Sequence, residues 1–152
     1  MVQTAAEGRE QLLQSLAEAT NYMGAALAYL GAAYEQLDET NADELEEKLF
    51  RPVQLAYGRA RRTHTEFAGR HGMATRDFEP PSPGLASIGA KAFIDNALVA
   101  VGRADNALVT LQDSLLPVDV GDPELRAALA ELRELVGTIG PRARDLVRTL
   151  GR

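Results

Sequence analysis

Two histidines, His64 and His71, are the side chains with most to offer chemistry in a sequence that has no cysteine and no tryptophan. An imidazole titrates near neutral pH and serves as base, acid or metal ligand. The missing cysteines exclude a disulfide framework, a thiolate nucleophile and any Cys-ligated zinc or iron–sulfur site. Both histidines fall on the apolar stripe of one predicted helix, near Tyr57 and Phe67. A spacing of seven puts them on one face but about 10 Å apart along the axis. That is too far for a single ion, which helical sites hold with histidines three or four residues apart. A carboxylate-bridged di-iron centre needs two Glu-x-x-His motifs, and the chain has none. The expectation is therefore no metal and no cofactor. Each histidine reads first as a core or boundary residue hydrogen-bonded to a carbonyl or a tyrosine. The functional alternative is a small-ligand or anion pocket formed by Tyr57, Arg59, His64 and His71 together with neighbouring arginines.

Arg59 and His64 are separated by four residues, Ala60-Arg61-Arg62-Thr63. This spacing is similar to that of small helical ribonucleases of the HEPN type. The resemblance covers one hexapeptide and lacks the polar companions expected around that motif. It implies His64 as general acid or base and Arg59 as the cation that stabilises a phosphorane. No glycine-rich phosphate loop, nucleophile elbow or serine triad is present, so no catalytic residue is assigned and the chain reads as more non-enzymatic than enzymatic. Asp95-Asn96-Ala97-Leu98-Val99 recurs as Asp105-Asn106-Ala107-Leu108-Val109, but a ten-residue step leaves the copies about 80° apart on a helix, so they form no common ladder. Asn96 and Asn21, set among apolar neighbours, are expected to be buried and to fix register.

The elements that must position these residues are helical throughout. Helix 1, about residues 4–37, carries apolar residues at alternating steps of four and three, from Leu12 and Leu16 to Ala33 and Leu37. Half of that stripe is small, Ala19, Ala26 and Ala33, with Gly24 and Gly31 beside it. Asn41 followed by Glu44 has capping-box spacing for helix 2, about residues 42–71. Its stripe begins with Leu45 and Leu49, shifts by one residue around Pro52 and resumes as Val53, Tyr57, Ala60, His64, Phe67 and His71. Pro52 is expected to kink or split it. Pro80, Pro81 and Pro83 mark a connection over 72–82, after which Ser82 and Pro83 look like the start of helix 3, about residues 83–116. Ala97 and Ala104 repeat the small half-stripe there. Asp122-Pro123-Glu124 opens helix 4, about residues 122–150, with a second kink expected near Pro141.

These elements predict one domain over residues 1–152, an all-α, antiparallel up-down-up-down four-helix bundle. The 72–82 connection spans roughly 36 Å at most against helices about 45 Å long, which favours that order over an end-to-end crossover. In it the ends of helices 2 and 4 form one basic pole, with Arg59, Arg61, Arg62, Arg70, Arg76, Arg142, Arg144, Arg148 and Arg152, and the acidic first turn forms part of the other. An acidic protein or anionic ligand is the expected partner of the basic pole. The faces built on Ala19, Gly24, Ala26, Gly31, Ala33, Ala97 and Ala104 are expected to bring two copies together as a homodimer. A net charge of −6 disfavours general nucleic-acid and anionic-membrane binding, no apolar run is long enough for a membrane helix, and Glu7, Arg9, Glu10 and Glu18 interrupt the first residues where a signal peptide would be apolar, so the default location is cytoplasmic. The leading functional expectation is a non-enzymatic, self-associating interaction module. A ligand-binding bundle and a HEPN-like ribonuclease are the alternatives.

Overall fold

The computed structural model of the chain describes residues 4–150, and Arg152 of the predicted basic pole lies outside them. Among the described residues every element is helical and there is no strand. Helix α1, Ala5–Tyr34, starts at Thr4, whose hydroxyl accepts the Glu7 N–H at 3.1 Å and donates to the Glu7 carboxylate at 2.9 Å. This ties down one of the orphan amides at the helix start.

The next helical run begins earlier than expected. Asp38, with an extended backbone, precedes α2, Glu39–Leu45, and Asn41 donates to its carboxylate at 2.7 Å, so Asn41 lies inside the first turn and is not the cap. A π turn over Glu46–Phe50 leads directly into α3, Arg51–Arg70, and the Arg51 N–H reaches back five residues to the Glu46 carbonyl. The helix passes Pro52 by adding this wider turn. One extra residue in the ladder is what the slip in the apolar stripe requires, and Leu45, Leu49, Val53 and Tyr57 are all buried as a result.

The third predicted helix starts seven residues later than Pro83. Gly84 and Gly89 both have φ of +90°, a conformation that an α-helix cannot contain, and α4 runs Ala90–Asp113 after a single 3-10 turn at Ala86–Ile88. A short α5, Leu116–Asp119, and α6, Pro123–Leu150, complete the chain, and α6 continues without a break through Pro141.

The late start of α4 changes the topology. Residues 72–89 can span about 60 Å at roughly 3.3 Å each, enough to run the length of a 24-residue helix of about 36 Å. They form a strap that leaves the pole where His71 meets Asp122 and arrives at the opposite pole, where the Gln36 amide donates to the Ala86 carbonyl at 2.7 Å. The expected up-down-up-down order is therefore corrected to up-down-down-up. Helix α1 packs on α3 and α4, α6 packs on the same two, and α3 and α4 run parallel across a diagonal.

The predicted division into a basic and an acidic pole is corrected with it. The acidic first turn, Glu39 to Glu47, shares a pole with Arg142, Arg144 and Arg148, where Asp145 acts on Lys48. Arg70 at the end of α3 instead meets the start of α6, 2.8 Å from Asp122 and 3.2 Å from Glu124. Opposite charges at helix ends thus neutralise each other locally.

The core is continuous from Leu12, Leu16 and Met23 on α1 through Phe67 on α3 and Phe93, Ile94 and Leu108 on α4 to Leu129 and Ile139 on α6. Asn21 and Asn96 are exposed and set no buried register. Among the described residues no helix is long and apolar enough to cross a membrane.

Candidate functional site

The four residues expected to form a pocket are dispersed by the fold. Tyr57 is buried with its ring against Gly24, where an added Cβ would stand 3.4 Å from the ring, and burial pushes its phenol up. Arg59 turns to α6 and pairs with Glu131 at 2.6 Å. His71 meets Asp122 at 2.9 Å, and Asp122 also accepts from Arg70 at 2.8 Å and caps α6 through the Leu125 N–H at 2.7 Å. The Arg70 guanidinium, with help from that amide and His71, holds the Asp122 carboxyl well below the usual carboxylate range. His71 is thus part of a staple between two helix ends. Arg59 and His64, five positions apart, diverge by about 140° around α3, so the pair that the ribonuclease resemblance implies does not share a face.

The expected association face is inside the molecule. Ala19, Gly24, Ala26, Ala33, Ala97 and Ala104 are buried within one chain, and Gly31 is half-buried. Helix α1 makes its most extensive contact with α4. Small side chains let those two backbones come close, while Gly24 and Gly31 face Tyr57 and Phe50, so these residues pack against other helices of the same chain.

The arrangement that concentrates function-bearing groups lies on the other side, where the strap crosses α3. Arg61 and Arg62 from α3 and Arg76 from the strap line an open hollow of about 430 Å³, with Gly58 and Thr65 on the helix and Asp77, Phe78 and Glu79 on the strap. Gly58 opens it, since a Cβ there would meet nothing within 4 Å. Among the described residues none of the three arginines forms an ion pair, as is also true of Arg51, Arg103, Arg142 and Arg144, whereas Arg59, Arg70, Arg133 and Arg148 do; what sets the three apart is that they share one hollow. The Arg61 guanidinium sits 4.7 Å over Tyr57 and that of Arg76 sits 5.3 Å over Phe78. Stacking of this kind holds a guanidinium plane in place and leaves its N–H edge free for a ligand. Sequence reasoning reached Arg61, Arg62 and Arg76 only as members of one basic run. Arg76 became their neighbour only when the strap folded back.

Under Phe78 lies His64. It is 4% exposed, its ring centroid is 5.1 Å from that of Phe78 in edge-on contact, and its Nδ1 has no hydrogen-bond partner among the described residues. Burial, and secondarily the charge of Arg76, lower its pKa from the ordinary histidine value. A second groove, of about 410 Å³ between α1 and α4, is lined mainly by neutral polar groups such as Ser15, Asn106 and Thr110, with Glu18 and Arg103 as its charges. Among the described residues no group of three His, Asp or Glu side chains could hold a metal ion. No family model, curated protein or solved structure matches the chain.

Proposed function

We propose that the chain is a non-enzymatic helical binding module that takes a small anionic ligand, a phosphoryl or carboxylate group, in the groove between α3 and the strap. The observation that carries this reading is the convergence of Arg61, Arg62 and Arg76 on one open hollow with no ion pair to any of them among the described residues. Guanidinium forks match phosphate and carboxylate oxygens bidentately, and two of these are already oriented by aromatic rings. Asp77 and Glu79 on the same rim select for size. A compact anion can sit on the arginines, while a long polyanion is repelled where it runs past the acids. With a net charge of −6 the molecule supplies no general attraction, so affinity comes from these groups and falls with salt.

Calorimetric titration of inorganic pyrophosphate at pH 7.5, at low salt and at high salt, tests the reading. Wild type is expected to bind saturably and more weakly at high salt. Arg61→Ala and Arg62→Ala should each lose about tenfold or more, since a hydrogen bond to a charged group contributes about 1.5–3 kcal/mol. Arg103→Ala, in the α1–α4 groove, should bind as wild type does. Absence of saturable binding by wild type at low salt, or equal affinity in the Arg61 and Arg62 variants, overturns the proposal.

A further inference from the structure

The strap touches the bundle at few points. Between its two ends Phe78 is the one buried side chain among residues 72–88, and the segment from 79 to 88 is exposed except for half-buried Pro83. Met73, half-buried, packs on the core where the strap begins, and farther along Phe78 rests edge-on against His64. Apart from Tyr57, His64 is also the only ionisable side chain buried in the core among the described residues. A buried polar atom with no partner requires an explanation, because nearly all such atoms in folded proteins are satisfied. Nδ1 tolerates its position while the imidazole is neutral. Once both nitrogens carry protons, Nδ1–H becomes a charged donor facing no acceptor.

We infer that His64 and Phe78 form a pH-sensitive latch, in which acidification lifts the strap off α3, carries Arg76 away from Arg61 and Arg62, and weakens the groove's hold on its anion. The ligand half of this inference rests on the function proposed above, and the latch itself does not. The charges around His64 act in one direction. From the strap, Arg76 opposes protonation, while Asp77 and Glu79 line the open groove and do not stabilise a charged imidazole. Arg61, one turn away on α3, lies over Tyr57. The sign follows. A histidine whose pKa is lower in the latched state than in the open one favours latching fully above the ordinary value of about 6.5, and that preference is lost as pH falls below it.

The experiment is a nuclear magnetic resonance titration of the ligand-free full chain from pH 7.5 to 5. The Overhauser contact between the His64 and Phe78 rings should be present at pH 7.5 and disappear with the midpoint of His64 protonation, below the ordinary histidine value, while contacts among Phe93, Ile94 and Leu108 persist. In His64→Leu the contact of Phe78 with the substituted side chain should persist to pH 5. Persistence of the wild-type contact after His64 has protonated overturns the latch. So does an identical loss in the variant. If the variant does not fold, the wild-type titration decides alone. Sulfate, whose charge is constant over this range, then reports the coupling: its affinity for wild type should fall about tenfold between pH 7.5 and 5 and be nearly unchanged in His64→Leu. A latch that opens in a protein that never binds sulfate refutes the anion site only. Sulfate binding that is equally strong at both pH values refutes the coupling.

Discussion

The α1–α4 seam and the α3–strap groove use opposite physics on two sides of one bundle. Along the seam, alanines at 0–1% exposure bring two helices together and leave no polar atom in need of a partner. Across the groove, among the described residues, three arginines stand without ion pairs and a buried histidine has a nitrogen with no partner. Close packing has a single good solution, and interiors built that way resist change. A strap with one fully buried side chain, Phe78, set over an imidazole has far less burial to hold it than the bundle has, and segments of that kind are the ones expected to open first. The seam therefore supplies stability, and the binding and the latch proposed above both belong to the strap side.

Two phenylalanines give the sharpest contrast. Phe93, fully buried on α4, should cost about 3–5 kcal/mol as Phe93→Ala in urea unfolding. Phe78→Ala should cost less than half of that, because releasing the strap leaves the four-helix core in place. Equal losses would break the comparison. Next in size, Ala26→Leu forces extra volume into the seam and should destabilise by about 1–3 kcal/mol with no change in solution mass by light scattering. A fall in oligomer number with stability unchanged would instead return this stripe to the surface.

Asp122 joins the ends of α3 and α6, and Asp122→Ala should cost about 1–2 kcal/mol from the lost cap and ion pair. Because the folded state holds this carboxyl below its ordinary pKa, its contribution is fully present above the usual carboxylate range and is lost as pH falls through and beneath it. Acid titration of stability in wild type against Asp122→Asn, which keeps a capping oxygen, checks the direction. Arg62→Ala should have the smallest effect on stability, within about 0.5 kcal/mol, while removing most of the pyrophosphate binding.

Much of the helical content was legible, because stripes at steps of three and four name their own buried faces. Even the π turn was present in the sequence as a one-residue slip before Pro52. The strap was not, because Ser82-Pro83 imitates a helix start and the glycines that forbid one, Gly84 and Gly89, reveal themselves only through their backbone angles. That misplacement shortened the connection and reversed the order of the second half, so Arg70 was placed beside the wrong helix end. The small residues were read as a face for a second copy, and a stripe alone cannot say whether its partner belongs to the same chain. The candidate site was half visible for a related reason. Arg61 and Arg62 adjoin the segment that drew attention, whereas Arg76 reaches them only across a folded strap.

The central claim is that recognition belongs to the strap side, and mapping a bound anion onto the molecule tests it most directly. Side-chain Nε–Hε resonances of the arginines should be followed while inorganic pyrophosphate is added at low salt. The account predicts saturable shifts at Arg61, Arg62 and Arg76, with Arg103 and the ion-paired Arg59 and Arg133 left in place. Shifts centred on Arg103 and the α1–α4 groove, or equal small shifts at every exposed arginine, would contradict it.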